Sequence, residues 1–220
     1  MSNHVDAHPG TLVEALAAHS RALAACRRCA LGPGIVPVVS DARAPRILLV
    51  GQAPGKSETS AGRAFLGPAG KTLFRWFAGA GLDEASARDA IHIAAITRCY
   101  PGPHPAGRGD RVPSPAERER CAPWLDAELA IIWPALVIPV GRLAIDRMLG
   151  TAALADLVGR VHVSPEHRRR ILPLPHPSGA SGWLNDPRNR DLLDSAIELL
   201  RGELARLGLV ERPGDARSAA

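Results

Sequence analysis

The chain has 220 residues, 46% of them hydrophobic and 22% charged, with a formal net charge of +5. That is enough apolar material for one sizeable core, so a single domain over 1–210 followed by a flexible tail over 211–220 is expected. No apolar run reaches the length of a membrane span, and the N-terminus lacks the basic-then-apolar order of a secretory signal. The expectation is therefore a cytoplasmic protein with no membrane association, whose positive charge suits a polyanionic partner or a solvated basic surface.

Apolar residues at helical spacing predict a first helix over 10–25, ending at Cys26-Arg27-Arg28-Cys29 and a Gly/Pro loop. Four strand-like runs follow, over 46–50, 91–96, 136–140 and 170–174, separated by helical stretches over 69–80, 115–132 and 142–149. A last helix is expected over 187–207, with Pro187 in its first turn. Parallel neighbours need long crossovers, so this alternation predicts an α/β fold: a three-layer α/β/α sandwich around a central four-stranded, mainly parallel sheet.

Three loops leave the carboxyl ends of predicted strands, where open α/β sheets bind their ligands, and they should meet on one rim. The first, VGQAPGKSETSAGRAFLGPAG over 50–70, lets backbone amides of Gly51 and its neighbours approach a ligand. Its one aromatic, Phe65, belongs to a chain with only four Trp, three Phe and one Tyr, so it reads as a ring that stacks on a flat ligand or else fills the core. The second loop, CYPGPHPAGRGDRVPSP over 99–115, is a long and mildly basic excursion. The third is PHPSGASGWLND over 175–186.

The four cysteines are Cys26, Cys29, Cys99 and Cys121. Two lie in a CxxC. In a cytosolic setting a CxxC with two distant thiolates offers four soft ligands for zinc or for an iron–sulfur cluster, and ligand count does not separate the two.

Taken together, the CxxC with two further cysteines, GxAPGxxE over 51–58, GRxFxGxAG over 62–70, PxPxE over 113–117 and HPS over 176–178 resemble the iron–sulfur uracil-DNA glycosylases. The likeness is to family 4 and its relatives in families 5 and X, and it runs from Cys26 to about residue 190. It implies a uracil-DNA glycosylase-like fold and a [4Fe–4S] cluster held by Cys26, Cys29, Cys99 and Cys121. It also implies a monomeric DNA repair enzyme that excises uracil, or a related deaminated base, and leaves an abasic site.

By that resemblance Phe65 stacks on the flipped base, and the backbone around Gly51, Gln52 and Ala53 lies against it. His176 donates to the oxygen of the departing pyrimidine, with Ser178 beside it. Arg63, Arg108 and Arg111 are candidate phosphate contacts. Trp183 and Leu184 stand where related glycosylases insert a wedge, with a buried Trp183 as the competing reading. His92, His162 and His167 are read as structural or exposed.

The pattern is broken at two positions. Family 4 commonly has glutamate where this chain has Gln52, and an amide able to read uracil's edge where it has Ala95. Glutamine orients a water but is no general base at neutral pH. The remaining acids are Glu58, which matches a family glutamate, and Asp110, which stands where family 4 has asparagine and family X a histidine nucleophile. Gln52, Glu58, Asp110 and His176 are thus the catalytic candidates. Two rival functions follow from the departures: a weakened homologue that binds damaged or single-stranded DNA, and a glycosylase preferring hypoxanthine or an oxidised pyrimidine.

Overall fold

The computed structural model describes residues 9–40, 45–107, 109–164, 169–178 and 181–211. Within them β1 (Ile47–Gly51) and β3 (Leu136–Pro139) are buried at every position, and β2 (Ile91–Ala95) at all but the last. Continuously apolar strands of this kind are buried on both faces and require a helical layer on each side. β1 pairs in parallel with β2 and with β3, and β3 in parallel with β5 (Arg170–Ile171). β5 also pairs antiparallel with β4 (His162–Val163), giving the order β2-β1-β3-β5-β4.

The sheet therefore has five strands where four were expected. β4 is a two-residue edge strand, half-buried at His162 and exposed at Val163, and is too short to leave a period-2 pattern. The last expected strand, 170–174, is confirmed beyond the β5 ladder by a parallel bridge between Val140 and Leu174.

The helices are α1 (Pro9–Ala24), α2 (Lys56–Ala61), α3 (Pro68–Gly79), α4 (Glu84–Ala90), α5 (Pro115–Ile132), α6 (Arg142–Leu149), α7 (Leu154–Leu157) and α8 (Pro187–Arg206). Side chains alternate across β1 and so serve two cores. Ile47 and Leu49 pack with Leu73 and Phe77 of α3 and with Leu193, Leu200 and Leu204 of α8. Leu48 and Val50 pack with Leu16 of α1, Leu125 and Leu129 of α5, and Ala144 of α6. The expected three layers are present. The short helices α2, α4 and α7 went unpredicted because none is long enough to show an apolar stripe.

Local chemistry explains where α5 begins. The Ser114 hydroxyl accepts from the Glu117 backbone N–H at 3.3 Å, and the Glu117 carboxylate accepts from the Ser114 N–H at 2.7 Å, a reciprocal capping box with Pro115 as the first helical residue. Farther along α5, Glu128 is fully buried beneath α1 and the sheet. Its carboxylate accepts from Arg98 Nη1 at 3.0 Å, lies 2.9 Å from His92 Nε2, and has His19 Nε2 at 3.6 Å. Burial alone would raise the Glu128 carboxyl's pKa, but Arg98 and the two imidazoles hold it well below the usual carboxylate range. His92 is thus structural, as read, and His162 hydrogen-bonds the Leu157 carbonyl at 2.9 Å, also as read. His167 and the residues from 212 onward lie outside the described residues. Among the described residues no helix is long and apolar enough to cross a membrane.

Candidate active site

The three loops do meet at the carboxyl ends of the parallel strands. They enclose a cavity of about 340 Å³ lined by Gly51, Gln52, Ala53, Glu58, Phe65, Ala95, Asp110, Arg111, His176 and Ser178. Gly51 and Ala95 are register partners on β1 and β2, so the floor is the end of the sheet itself.

Phe65 is half-buried and has φ 56°, a left-handed backbone that a residue with a side chain rarely adopts. Two glycines make room for it. A Cβ on Gly51 would stand 3.1 Å from the Phe65 Cζ, and a Cβ on Gly70 would overlap the Phe65 carbonyl oxygen. The ring therefore lies over the end of β1, and its main chain crosses the first turn of α3.

Glu58 sits in the first turn of α2, and its Oε2 accepts from the Gly55 N–H at 3.0 Å. Burial raises its pKa, opposed by backbone N–H groups of Gly55, Leu66, Phe65 and Gly67. A carboxylate surrounded by main-chain donors organises the loop that carries Phe65. Asp110 is exposed at the cavity mouth, where its Oδ2 would be 3.3 Å from a Cβ on Gly55. It is positioned by a bridge to Pro103 within the long loop. Burial, followed by a hydrogen bond to Asp110, raises the pKa of the Tyr100 hydroxyl.

His176 follows the last strand. Its Nδ1 accepts from the Ser178 backbone N–H at 3.2 Å, so a neutral ring carries its hydrogen on Nε2. Burial lowers its pKa, which favours the neutral form. Gly141, at φ 82°, allows the ring its place: a Cβ there would be 2.9 Å from His176 Cδ2.

The cationic candidates behave differently from one another. Arg63 is exposed beside the cavity. Arg111 donates to both carboxylate oxygens of Glu117, at 2.5 and 2.8 Å, and so braces the start of α5. Arg108 lies outside the described residues. Trp183 is half-buried, and with Leu184 it packs against the core on the α3/α8 face.

A second cleft lies on the other side of the long loop. Cys26, Cys29, Cys99 and Cys121 all line it, together with Arg27, Arg28, Arg98 and Trp124. None of the four is in a disulfide. The Arg98 N–H donates to Cys121 Sγ at 3.3 Å. Desolvation, then repulsion from Cys121, Cys29 and Cys26, pushes the Cys99 thiol up to about 12. Among the described residues no three His, Cys, Asp or Glu side chains form a group suited to a single metal ion.

Sequence reasoning missed Tyr100 and Gly141. Tyr100 directly follows Cys99 and is the one tyrosine in the chain, and Gly141 lies just past the carboxyl end of β3. Either position could have been noticed on those grounds.

Residues 37–201 match the family model of the uracil DNA glycosylase superfamily. The Type-4 uracil-DNA glycosylase of Sulfurisphaera tokodaii is 28% identical over 190 residues, covering 82% of this chain and 80% of that protein. That of Archaeoglobus fulgidus is 34% identical over 127 residues, 56% of this chain and 58% of that protein. That of Saccharolobus solfataricus is 25% identical over 192 residues, 82% of each.

Proposed function

The chain belongs to the uracil DNA glycosylase superfamily, and on that premise we propose that it is a monofunctional DNA repair enzyme, acting as a monomer. It flips uracil out of DNA and hydrolyses the bond to the sugar, leaving an abasic site. The observation that carries this reading is the meeting, in one cavity at the strand ends, of an aromatic ring, an imidazole and a carboxylate.

A base inside a duplex is out of reach, so the nucleotide rotates into the cavity. Phe65 stacks on it over the glycine floor, and the amides of Gly51 to Ala53 approach its edge. As the N-glycosidic bond breaks, the electron pair stays with uracil and negative charge gathers on its oxygen, to which His176 Nε2–H donates. Ser178 contributes by holding the tautomer through its N–H. The cationic sugar carbon then takes a water. Gln52 orients that water, and Asp110, held by Tyr100, accepts its proton. Glu58 shapes the loop, and Arg63 is an exposed cation, next to the cavity-lining Ala64, suited to a phosphate. Ala95 leaves uracil's edge without a side-chain amide reader, which loosens discrimination among bases.

Cys26, Cys29, Cys99 and Cys121 hold a [4Fe–4S] cluster in this reading. The four sulfurs line one cleft, and burial with neighbouring sulfurs disfavours a lone thiolate at Cys99, which a cationic metal centre would offset. Bound there, such a cluster would be structural, because its ligands come from the segment after α1, the start of the long loop and α5. Anaerobically purified protein should be brown with about four irons per chain, and zinc without iron would refute the assignment.

The activity is tested with oligonucleotides that each carry one altered base, followed by alkali. Strand scission at uracil is expected. Binding without scission would identify a damaged-DNA-binding homologue instead, and scission at hypoxanthine alone would reassign the base.

A further inference from the structure

We infer that Arg88, on α4 and outside the cavity, is the positioning residue that keeps the Phe65 ring in place to stack on the base; the inference rests on the uracil-excision reading above. A left-handed main chain at a phenylalanine persists only where its surroundings hold it. Glu58 holds this segment by its N–H groups, and Arg88 is the charged group that holds it by its carbonyls. Its Nη1 donates to the Ala64 carbonyl at 3.0 Å and its Nη2 to the Phe65 carbonyl at 3.1 Å, a two-pronged grip on consecutive peptide oxygens.

The guanidinium is itself fixed on its remaining sides. Nε donates to Glu84 at 2.8 Å, one turn earlier on the same helix, and the group lies 4.3 Å above the Phe74 ring of α3. Its side chain is 9% exposed. The Asp83 cap, which accepts from the Ser86 N–H at 3.0 Å, sets where α4 begins and so where Arg88 points. With its donors spent on carbonyls and Glu84, Arg88 has little left for a phosphate. Its removal should therefore slow base release while leaving DNA affinity and its salt dependence unchanged.

Two measurements test this on the full-length, cluster-loaded protein. The first is single-turnover uracil release by Arg88→Ala and Arg88→Lys, each in the natural and the Phe65→Ala background. Lysine keeps the charge but cannot grip two carbonyls, so it should rescue poorly. Either change should cost on the order of 10-fold in the natural background and within about twofold of nothing once Phe65 is gone, because the residue acts through that ring. Equal losses in both backgrounds, or an unchanged rate, would overturn the inference. So would a loss of DNA affinity matching the loss of rate.

The second is hydrogen exchange of the segment over 62–70. It should quicken in Arg88→Lys while the segments carrying the four cysteines keep their protection; unaltered exchange over 62–70 would overturn the grip itself. If the natural protein releases no uracil, the excision reading fails, and the exchange measurement still decides whether Arg88 holds the loop.

Discussion

The two clefts on either side of the long loop are built on opposite principles. The cavity at the strand ends is made of main chain, glycines and one ring, and burial lowers the pKa of its histidine. The cysteine cleft gathers four sulfurs with arginines around them, and near it the buried Glu128 is paired with Arg98. A cavity that bears charge only in passing needs fixed dipoles, whereas a buried permanent charge such as that of Arg98 or Glu128 needs a fixed counter-charge. The expected consequence is a division of labour, with substitutions in the first region changing rate and those in the second changing stability.

The largest effect should come from Glu128→Ala. It strands Arg98 as an uncompensated buried cation and should destabilise the fold by about 3–5 kcal/mol, read as a lowered denaturant midpoint. A variant as stable as the parent would show that the charged region is not structural. Next is His176→Ala, which should reduce single-turnover uracil release on the order of 100-fold or more while leaving the denaturant midpoint within error. Should stability fall along with rate, the division between the regions fails.

Phe65→Ala should weaken base release by an amount corresponding to about 1–3 kcal/mol, and binding to DNA that already lacks the base should be unaffected. The smallest effect concerns the boundary between the regions. Hydrogen bonds from Arg111, with burial opposing them, hold the Glu117 carboxyl at about 2, against an ordinary 4.5. A lowered pKa stabilises the folded state fully above the ordinary value, and that contribution is lost as the pH falls through the folded one. Urea midpoints should therefore decline between about pH 4.5 and pH 2, and Glu117→Gln should flatten that part of the profile.

Much of the architecture was legible in the chain. Continuous apolar runs at β1 and β3 identify doubly covered parallel strands, and Ser114-Pro115 with Glu117 announces the start of α5. The rim on which Gln52, Phe65, Asp110 and His176 meet was also foreseeable, because strand carboxyl ends in an open sheet face one way. β4 was not foreseeable, since two residues carry no period.

What the sequence by itself determined is therefore the set of elements, their layering and the chemical inventory of each loop, all of which follow from local periodicity and residue type. What only the tertiary structure decided is the state of each group: Arg111 committed to Glu117, Glu58 to the loop backbone, Trp183 half-sunk against the core, His176 holding its hydrogen on Nε2, and Arg88 gripping Phe65 from 23 positions away. The reason is physical. Periodicity reports which face of an element avoids water, but hydrogen-bond partners and pKa shifts depend on groups brought together from distant parts of the chain, and those meetings have no local signature.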